Sequence, residues 1–323
     1  MATIFLMLNI LAITFPFFAL VLCGYAAVRR GMLPLVAIPG MNTFVLFFAL
    51  PCMLYRFGAG TPLAQLLDVG VFSVYLLCAL VMVGVTRAAT LSHRIDWNNA
   101  AFGALVAAFP NTGFMGVPLL LALLGPRSSG PVIVTIVVDM IFTSSLCIAL
   151  SRIGGGDAQG GRAAVGKALK GMLGNPMPWA IVLGALTSWL GLALPKPLMQ
   201  TVGLLADAAS PVALFTIGAV LARSQMHNAD ASPLGEFVPV ALKKLILHPL
   251  LVLGVGNAAI ALGLALDRFA LTVLVLVACL PSASNVAMLS ERFGANTGRI
   301  ARIILVSTAL SFVTFSAAVL CLT

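Results

Sequence analysis

Asn111 and Thr112, followed by Gly113, come directly after Pro110 in the middle of an apolar run from 100 to 124. Far downstream, Ser282, Ser284 and Asn285 come after Pro281 in a second apolar run, 268–293. Amide and hydroxyl side chains can hydrogen-bond an anion such as a carboxylate. The stretch 109–118 is also poor helix chemistry, with two prolines, two glycines and an Asn-Thr pair in ten residues. Proline removes a backbone donor and clashes with the preceding turn, and glycine adds conformational freedom. In hydrocarbon such a break survives only where it lines a protein-enclosed cavity. Each break also frees half-helix ends, and the N–H groups of a half-helix N-terminus favour an anion. The stretch therefore predicts an anion held chiefly by backbone N–H groups and Asn111. The competing reading is that these polar groups merely satisfy one another at a kink.

Ionisable residues inside apolar segments are few, and each is a functional candidate. Asp139 is flanked by Thr135 and Thr143 at helical spacing, and Asp207 precedes Ser210-Pro211. Lys243 and Lys244 lie two turns into an apolar segment, with His248 one turn deeper beside Pro249. The lysines either snorkel to the interface or contact a substrate. His248 is either a hydrogen-bonded interior histidine or a ligand or proton carrier. Asp139 either pairs with a cation, stays protonated or couples proton movement. These five residues are the candidates for ion coupling or charge compensation. No H-E-x-x-H, G-x-S-x-G or Walker pattern occurs, so the sequence points away from an enzyme and from a metal.

The elements that must carry these residues follow from composition. Of 323 residues 61% are hydrophobic and 8% charged, and the mean hydropathy is +1.12. Soluble domains carry about 25% charged residues, so the chain reads as a polytopic membrane protein. The net charge of +9 does not imply nucleic acid, because the 18 basic residues are dispersed. Residues 1–28 lack a basic n-region and read as a first transmembrane helix. The six cysteines show no C-x-x-C spacing and read as small hydrophobes.

At about 20 apolar residues per crossing, the chain predicts ten segments: 3–28, 35–56, 66–90, 98–124, 131–152, 176–194, 198–223, 237–263, 268–293 and 298–322. The glycine-rich stretch 153–175 reads as a linker that divides them five and five. Alternate loops hold twelve Lys and Arg on one side and four on the other, with Lys243 and Lys244 near the richer side. The positive-inside rule then places the linker in the cytoplasm and both termini outside. An odd number of crossings inverts the second half relative to the first. Matching features recur in order: Gly24 and Pro34 with Gly184 and Pro195, Pro51 with Pro211, and the break in segment four with that in segment nine. Paired broken segments in inverted halves are the sequence pointer to a secondary-transporter site.

The run Pro110-Asn111-Thr112-Gly113-Phe114-Met115-Gly116-Val117-Pro118-Leu119-Leu120 resembles the crossover of the auxin efflux carrier family, whose plant PIN-formed members carry proline-Asn-Thr-x-x-Met-Gly-Ile-Pro-Leu-Leu. Leu280-Pro281-Ser282-Ala283-Ser284-Asn285-Val286 and Ser210-Pro211-x-Ala213-Leu214-Phe215-x-x-Gly218 resemble its bacterial branch. The resemblance covers essentially the whole chain. It implies an all-α membrane fold of two inverted five-helix repeats, 1–152 and 176–323, like bile-acid symporters and sodium/proton antiporters. Helices 1, 2, 6 and 7 would form a scaffold domain. Helices 3–5 and 8–10 would form a transport domain whose broken helices cross at Pro110, Asn111 and Pro281. The implied function is a carrier of a small organic anion in the bacterial inner membrane, with malonate the best guess. A sodium/proton-type exchanger or an auxin-like monocarboxylate exporter are the alternatives. A dicarboxylate wants two positive poles, of which His248 or Lys244 could supply the second. No cofactor is implied. The coupling ion would be H+ or Na+, and a homodimer is a partner the family suggests. The chain departs from the plant carriers in lacking their long central loop and in having Gly113-Phe114 where they carry two aliphatic residues.

Overall fold

Backbone polar groups in an apolar solvent must be satisfied within their own segment, which leaves the helix as the default for these runs. In the computed structural model, which describes residues 2–61, 68–153, 176–192, 194–227 and 233–322, the described residues are all-helical with no strand. Apart from Ile153, the expected 153–175 linker lies outside the described residues. Among the described residues six spans are long and apolar enough to cross a membrane: Ala37–Gly60, Val69–Thr90, Pro126–Arg152, Lys196–Arg223, Leu234–Ala261 and Thr297–Leu322. The helices fall into two compact units, and the boundaries between them cut the chain near the start of segment three and within segments four and five, the last of these inside α7 (Ser129–Val137).

The first unit comprises residues 1–68, 113–134 and 175–229. It contains α1 (Ala2–Arg29), α2 (Ala37–Phe44) and α3 (Leu50–Gly60), then α6 (Val117–Leu124), α9 (Pro176–Trp189) and α10 (Lys196–His227). Pro211 lies inside α10, which runs on through it. Glycine sets two of its helix crossings. A Cβ on Gly24 would sit 1.8 Å from the Phe215 carbonyl oxygen, and one on Gly218 would sit 1.8 Å from that of Val21. The α1 and α10 backbones therefore touch. Gly184 repeats this on α9, where a Cβ would meet the Tyr55 carbonyl oxygen of α3 at 2.5 Å. Lipid offers apolar helices no hydrophobic gain on pairing, so close backbone approach at small residues is how they adhere.

The second unit comprises residues 69–112, 135–174 and 230–323. It holds α4 (Val69–Thr90), α5 (Trp97–Ala108), α8 (Ser144–Ile153), α11 (Leu234–Leu242), α12 (His248–Ala261), α13 (Arg268–Cys279), α14 (Asn285–Arg292) and α15 (Thr297–Leu322). Residues 100–108 of α5 and 273–279 of α13 are buried without interruption. These two helices are apolar on every face, which is the pattern of a central helix. Asp96 caps α5 by accepting the Asn99 N–H at 2.7 Å. Arg299, counted above among the loop cations, is instead 2% exposed. It donates from Nε to the Glu236 carbonyl (2.9 Å) and from Nη1 to the Asn99 carbonyl (3.0 Å). Gly103 leaves room for its guanidinium, since a Cβ there would lie 3.0 Å from Nη1.

Several spans widen to π-helical turns, at Val45–Ala49, Val138–Thr143 and Lys243–Leu247. The second turn contains Asp139, and the third contains Lys243 and Lys244. Nothing in their residue types marks them, because each is built largely of ordinary helix formers.

Candidate functional site

Helix α5 ends at Ala108 because Phe109 precedes Pro110, and a residue before proline is driven out of the α region. Phe109 is extended, with φ −99° and ψ 101°. Leu280 precedes Pro281 and ends α13 for the same reason, with φ −62° and ψ 156°. Two short extended pieces result, and they pair with each other. Pro110 lies opposite Ser282 in an antiparallel bridge. The Asn111 N–H donates to the Pro281 carbonyl at 2.8 Å, and the Ala283 N–H donates to the Phe109 carbonyl at 2.9 Å. The broken segments thus cross with their backbones exchanging hydrogen bonds.

This pairing corrects part of the expected recognition mode. The Thr112 N–H is held by the Pro110 carbonyl at 2.8 Å, and the Ser282 N–H by Ser307 Oγ at 3.1 Å. Backbone donors at Asn111, Thr112, Ser282 and Ala283 are all taken by the protein, so these N–H groups do not face a ligand. The side chains do the opposite. Thr112 Oγ1, Ser282 Oγ and Asn285 Oδ1 are buried and have no protein partner. Buried polar atoms are nearly always hydrogen-bonded, and three that are not lie at the one crossover. Asn111 is 3% exposed and Pro110 and Pro281 are buried. Ser284 is half-buried at the N-terminus of α14, and its side chain makes no cap. Gly113 belongs to the first unit, where the nearest atom to a Cβ would be Leu50 Cδ2 at 3.8 Å.

A second polar layer lies in the same unit. Lys244 is fully buried, which removes the snorkelling alternative for it, while Lys243 is half-buried. Lys244 Nζ donates to the Ala278 carbonyl at 2.6 Å and lies 3.3 Å from His248 Nδ1. Ala278 is in the last turn of α13, where unsatisfied carbonyls carry partial negative charge and a cation is stabilising. With Lys244 as an ammonium, which only donates, His248 Nδ1 accepts from it and the imidazole carries its proton on Nε2. That Nε2 is buried with no protein partner, a fourth orphan.

Asp139 is fully buried. It accepts from Tyr75 Oη on Oδ2 at 2.8 Å and from Thr143 Oγ1 on Oδ1 at 3.1 Å. The Tyr75 and His248 rings lie 6.2 Å apart, centroid to centroid. Asp207 belongs to the first unit, where it makes an exposed ion pair with Arg56 at 2.7 Å. The residues that sequence reasoning missed are Tyr75 and Ser307. Tyr75 left a signal, since a phenol within an apolar run must find a partner. Ser307 left none.

Residues 10–319 match the family described as membrane transport protein. A "Putative malonate transporter" of Rhizobium meliloti (strain 1021) is 29% identical over 314 residues, covering 95% of this chain and 94% of the relative. The "Uncharacterized transporter YfdV" of Escherichia coli (strain K12) is 27% identical over 287 residues, or 87% of this chain and 88% of the relative. "Auxin efflux carrier component 3a" of Oryza sativa subsp. japonica is 28% identical over 149 residues, 44% of this chain and 24% of the relative. The match spans nearly the whole sequence, and the chain belongs to the membrane transport protein family, that of the auxin efflux carriers.

Proposed function

We propose that the chain is a secondary transporter of the bacterial inner membrane that moves a small organic anion, a carboxylate such as malonate, by alternating access. The observation that carries this reading is the set of orphaned donors and acceptors at the paired breaks: Thr112 Oγ1, Ser282 Oγ and Asn285 Oδ1, with His248 Nε2 in the adjoining layer. Hydroxyls and an Nε2–H donor suit a carboxylate, and Asn111 adds an amide. The name of the Rhizobium relative supports malonate. In this reading the ten segments form two inverted five-helix repeats, 1–152 and 176–323. Helices 3–5 and 8–10 move against helices 1, 2, 6 and 7. Both termini are periplasmic and the linker is cytoplasmic.

Two measurements test it. A ligand that binds the folded state raises apparent stability by mass action, so a thermal-shift panel of mono- and dicarboxylates, malonate included, should single out the substrate class. Asn111→Ala should insert and fold normally but lose uptake in proteoliposomes, and unimpaired uptake removes the site assignment. The buried carboxylate of Asp139 favours a second reading, a sodium/proton-type exchanger on the same fold. Consumption of a pH or sodium gradient without organic anion would select it.

A further inference from the structure

Asp139 is the one buried acid among the described residues, and the anion site just described makes no use of it. Both of its oxygens are met by neutral hydroxyls, from Tyr75 and Thr143. The cation within electrostatic reach is Lys244, whose Nζ is held elsewhere, on the Ala278 carbonyl and beside His248 Nδ1. Each member of this separated pair sits in a π-helical turn, Val138–Thr143 for the acid and Lys243–Leu247 for the base. In the first turn the Asp139 carbonyl accepts from both the backbone N–H and the Oγ of Ser144, the latter at 2.8 Å. Such turns give up regular helix bonding and recur at functional positions.

We propose that Asp139 is the proton-binding site of a proton-coupled anion carrier, with Tyr75, His248 and Lys244 tying its charge to the crossover. The inference rests on the anion reading and names the coupling ion. The charge balance is simple. Carboxylate and ammonium together carry no net charge. A proton from solvent forms an O–H bond on Asp139, which leaves the ammonium of Lys244 uncompensated at one net positive charge. One carboxylate of an anion at the crossover then balances that charge, and the proton leaves to solvent on the other side when the anion does.

Lys244 is placed for this role. It binds the carbonyl of Ala278, three residues before Pro281, and the Pro281 carbonyl receives the Asn111 N–H. The charge freed by protonation is thus attached to the segment that carries the anion. Charges in a water-poor interior act on each other far more strongly than in water. By linkage, proton and anion raise each other's affinity by the same factor. The titratable groups around the layer are Tyr75, Cys78 and Arg87 from α4, Cys147 from α8, Lys244 and His248 from the segment that contains α12, and Cys279 from α13. Helix α5 presents none.

The test uses infrared difference spectra of the full-length protein across pH, with and without malonate, for the wild type and Asp139→Asn. A carbonyl band of a buried protonated acid should grow in the wild type as pH falls and be missing from Asp139→Asn. At fixed pH, malonate should enlarge it. Malonate affinity of the wild type should rise about tenfold across the interval in which the band grows, within the usual range of coupling, and Asp139→Asn should be flat. No band in the wild type, or a band that persists in Asp139→Asn, overturns the proposal. A band indifferent to malonate overturns the coupling. If Asp139→Asn does not fold, Tyr75→Phe carries the test. It removes one donor from the carboxylate while keeping the ring, so the pH at which the band appears must move, and an unmoved band overturns the proposal. Undiminished transport in Asn111→Ala would sink the anion site and leave the band in place, so the two failures are distinct.

Discussion

Asn111 donates its backbone N–H to the carbonyl of Pro281 at 2.8 Å, joining two helix breaks that lie far apart in the sequence. The bond has a chemical consequence as well as a structural one. Each break would otherwise present bare N–H groups to a ligand. With this pairing the N–H groups of Asn111, Thr112, Ser282 and Ala283 are all engaged, while side-chain hydroxyls, an amide and an imidazole lack protein partners.

The orphaned hydroxyls give a direct prediction. Thr112→Val and Ser282→Ala remove no bond that the protein makes with these hydroxyls. An unsatisfied buried polar group costs about 1–3 kcal/mol, so without ligand each variant should melt at or above the wild-type temperature. Anion affinity should fall about tenfold for each hydrogen bond lost, which is about 1.4 kcal/mol. Scanning calorimetry with a binding titration checks both. A lower melting temperature with unchanged affinity would make the hydroxyls structural.

The two breaks were legible because proline, glycine and asparagine contradict an apolar helix locally. Their mutual pairing was not, since no local signal states which extended piece meets which. The lysines show the same limit. Lys243 and Lys244 are adjacent and chemically identical, yet successive positions of a helical turn point in different directions, so one is half-buried and the other fully buried against α13. The facing helix decides this, and its position is a tertiary fact. The π-helical turns under Asp139 and Lys244 were illegible for a different reason, because they depend on the backbone register that packing imposes. Arg299 looked like an interfacial cation, and only the gap at Gly103 and the carbonyls of Asn99 and Glu236 explain its burial.

Close helix contact in the first unit predicts a sharp contrast between glycines. Gly218→Ala would drive a methyl to 1.8 Å from the Val21 carbonyl oxygen, and helix backbone cannot move aside cheaply. A loss of about 3 kcal/mol or more is expected, at the high end of overpacking. Gly84→Ala meets nothing within 4 Å and should be neutral or slightly stabilising. Melting temperatures of the two purified variants make the comparison.

The Arg56–Asp207 pair should matter little despite its short 2.7 Å contact. Asp207 is 70% exposed and Arg56 33% exposed, and exposed pairs typically contribute about 0–1 kcal/mol. Asp207→Asn should therefore keep transport and shift the melting temperature only slightly, by an amount that shrinks with added salt. Loss of transport in this variant at normal stability would give Asp207 a part in coupling or charge compensation.

Lys244 and Asp139 should behave as a coupled pair although they do not touch. Lys244→Met removes the cation, the bond to Ala278 and the contact with His248, and it leaves the buried carboxylate uncompensated. Breaking a buried pair from one side costs about 3–5 kcal/mol, and this separation places the expected loss at the lower end. Asp139→Asn alone strands the ammonium but keeps an oxygen for the Tyr75 hydroxyl. The double variant removes both charges at once, so its loss should be smaller than the sum of the single losses, by about 0.5–3 kcal/mol. A double-mutant cycle on melting temperature, converted with a common unfolding enthalpy, measures the difference. Strict additivity would mean that the two charges do not sense each other across the layer, and the link between the buried acid and the crossover would lose its physical basis.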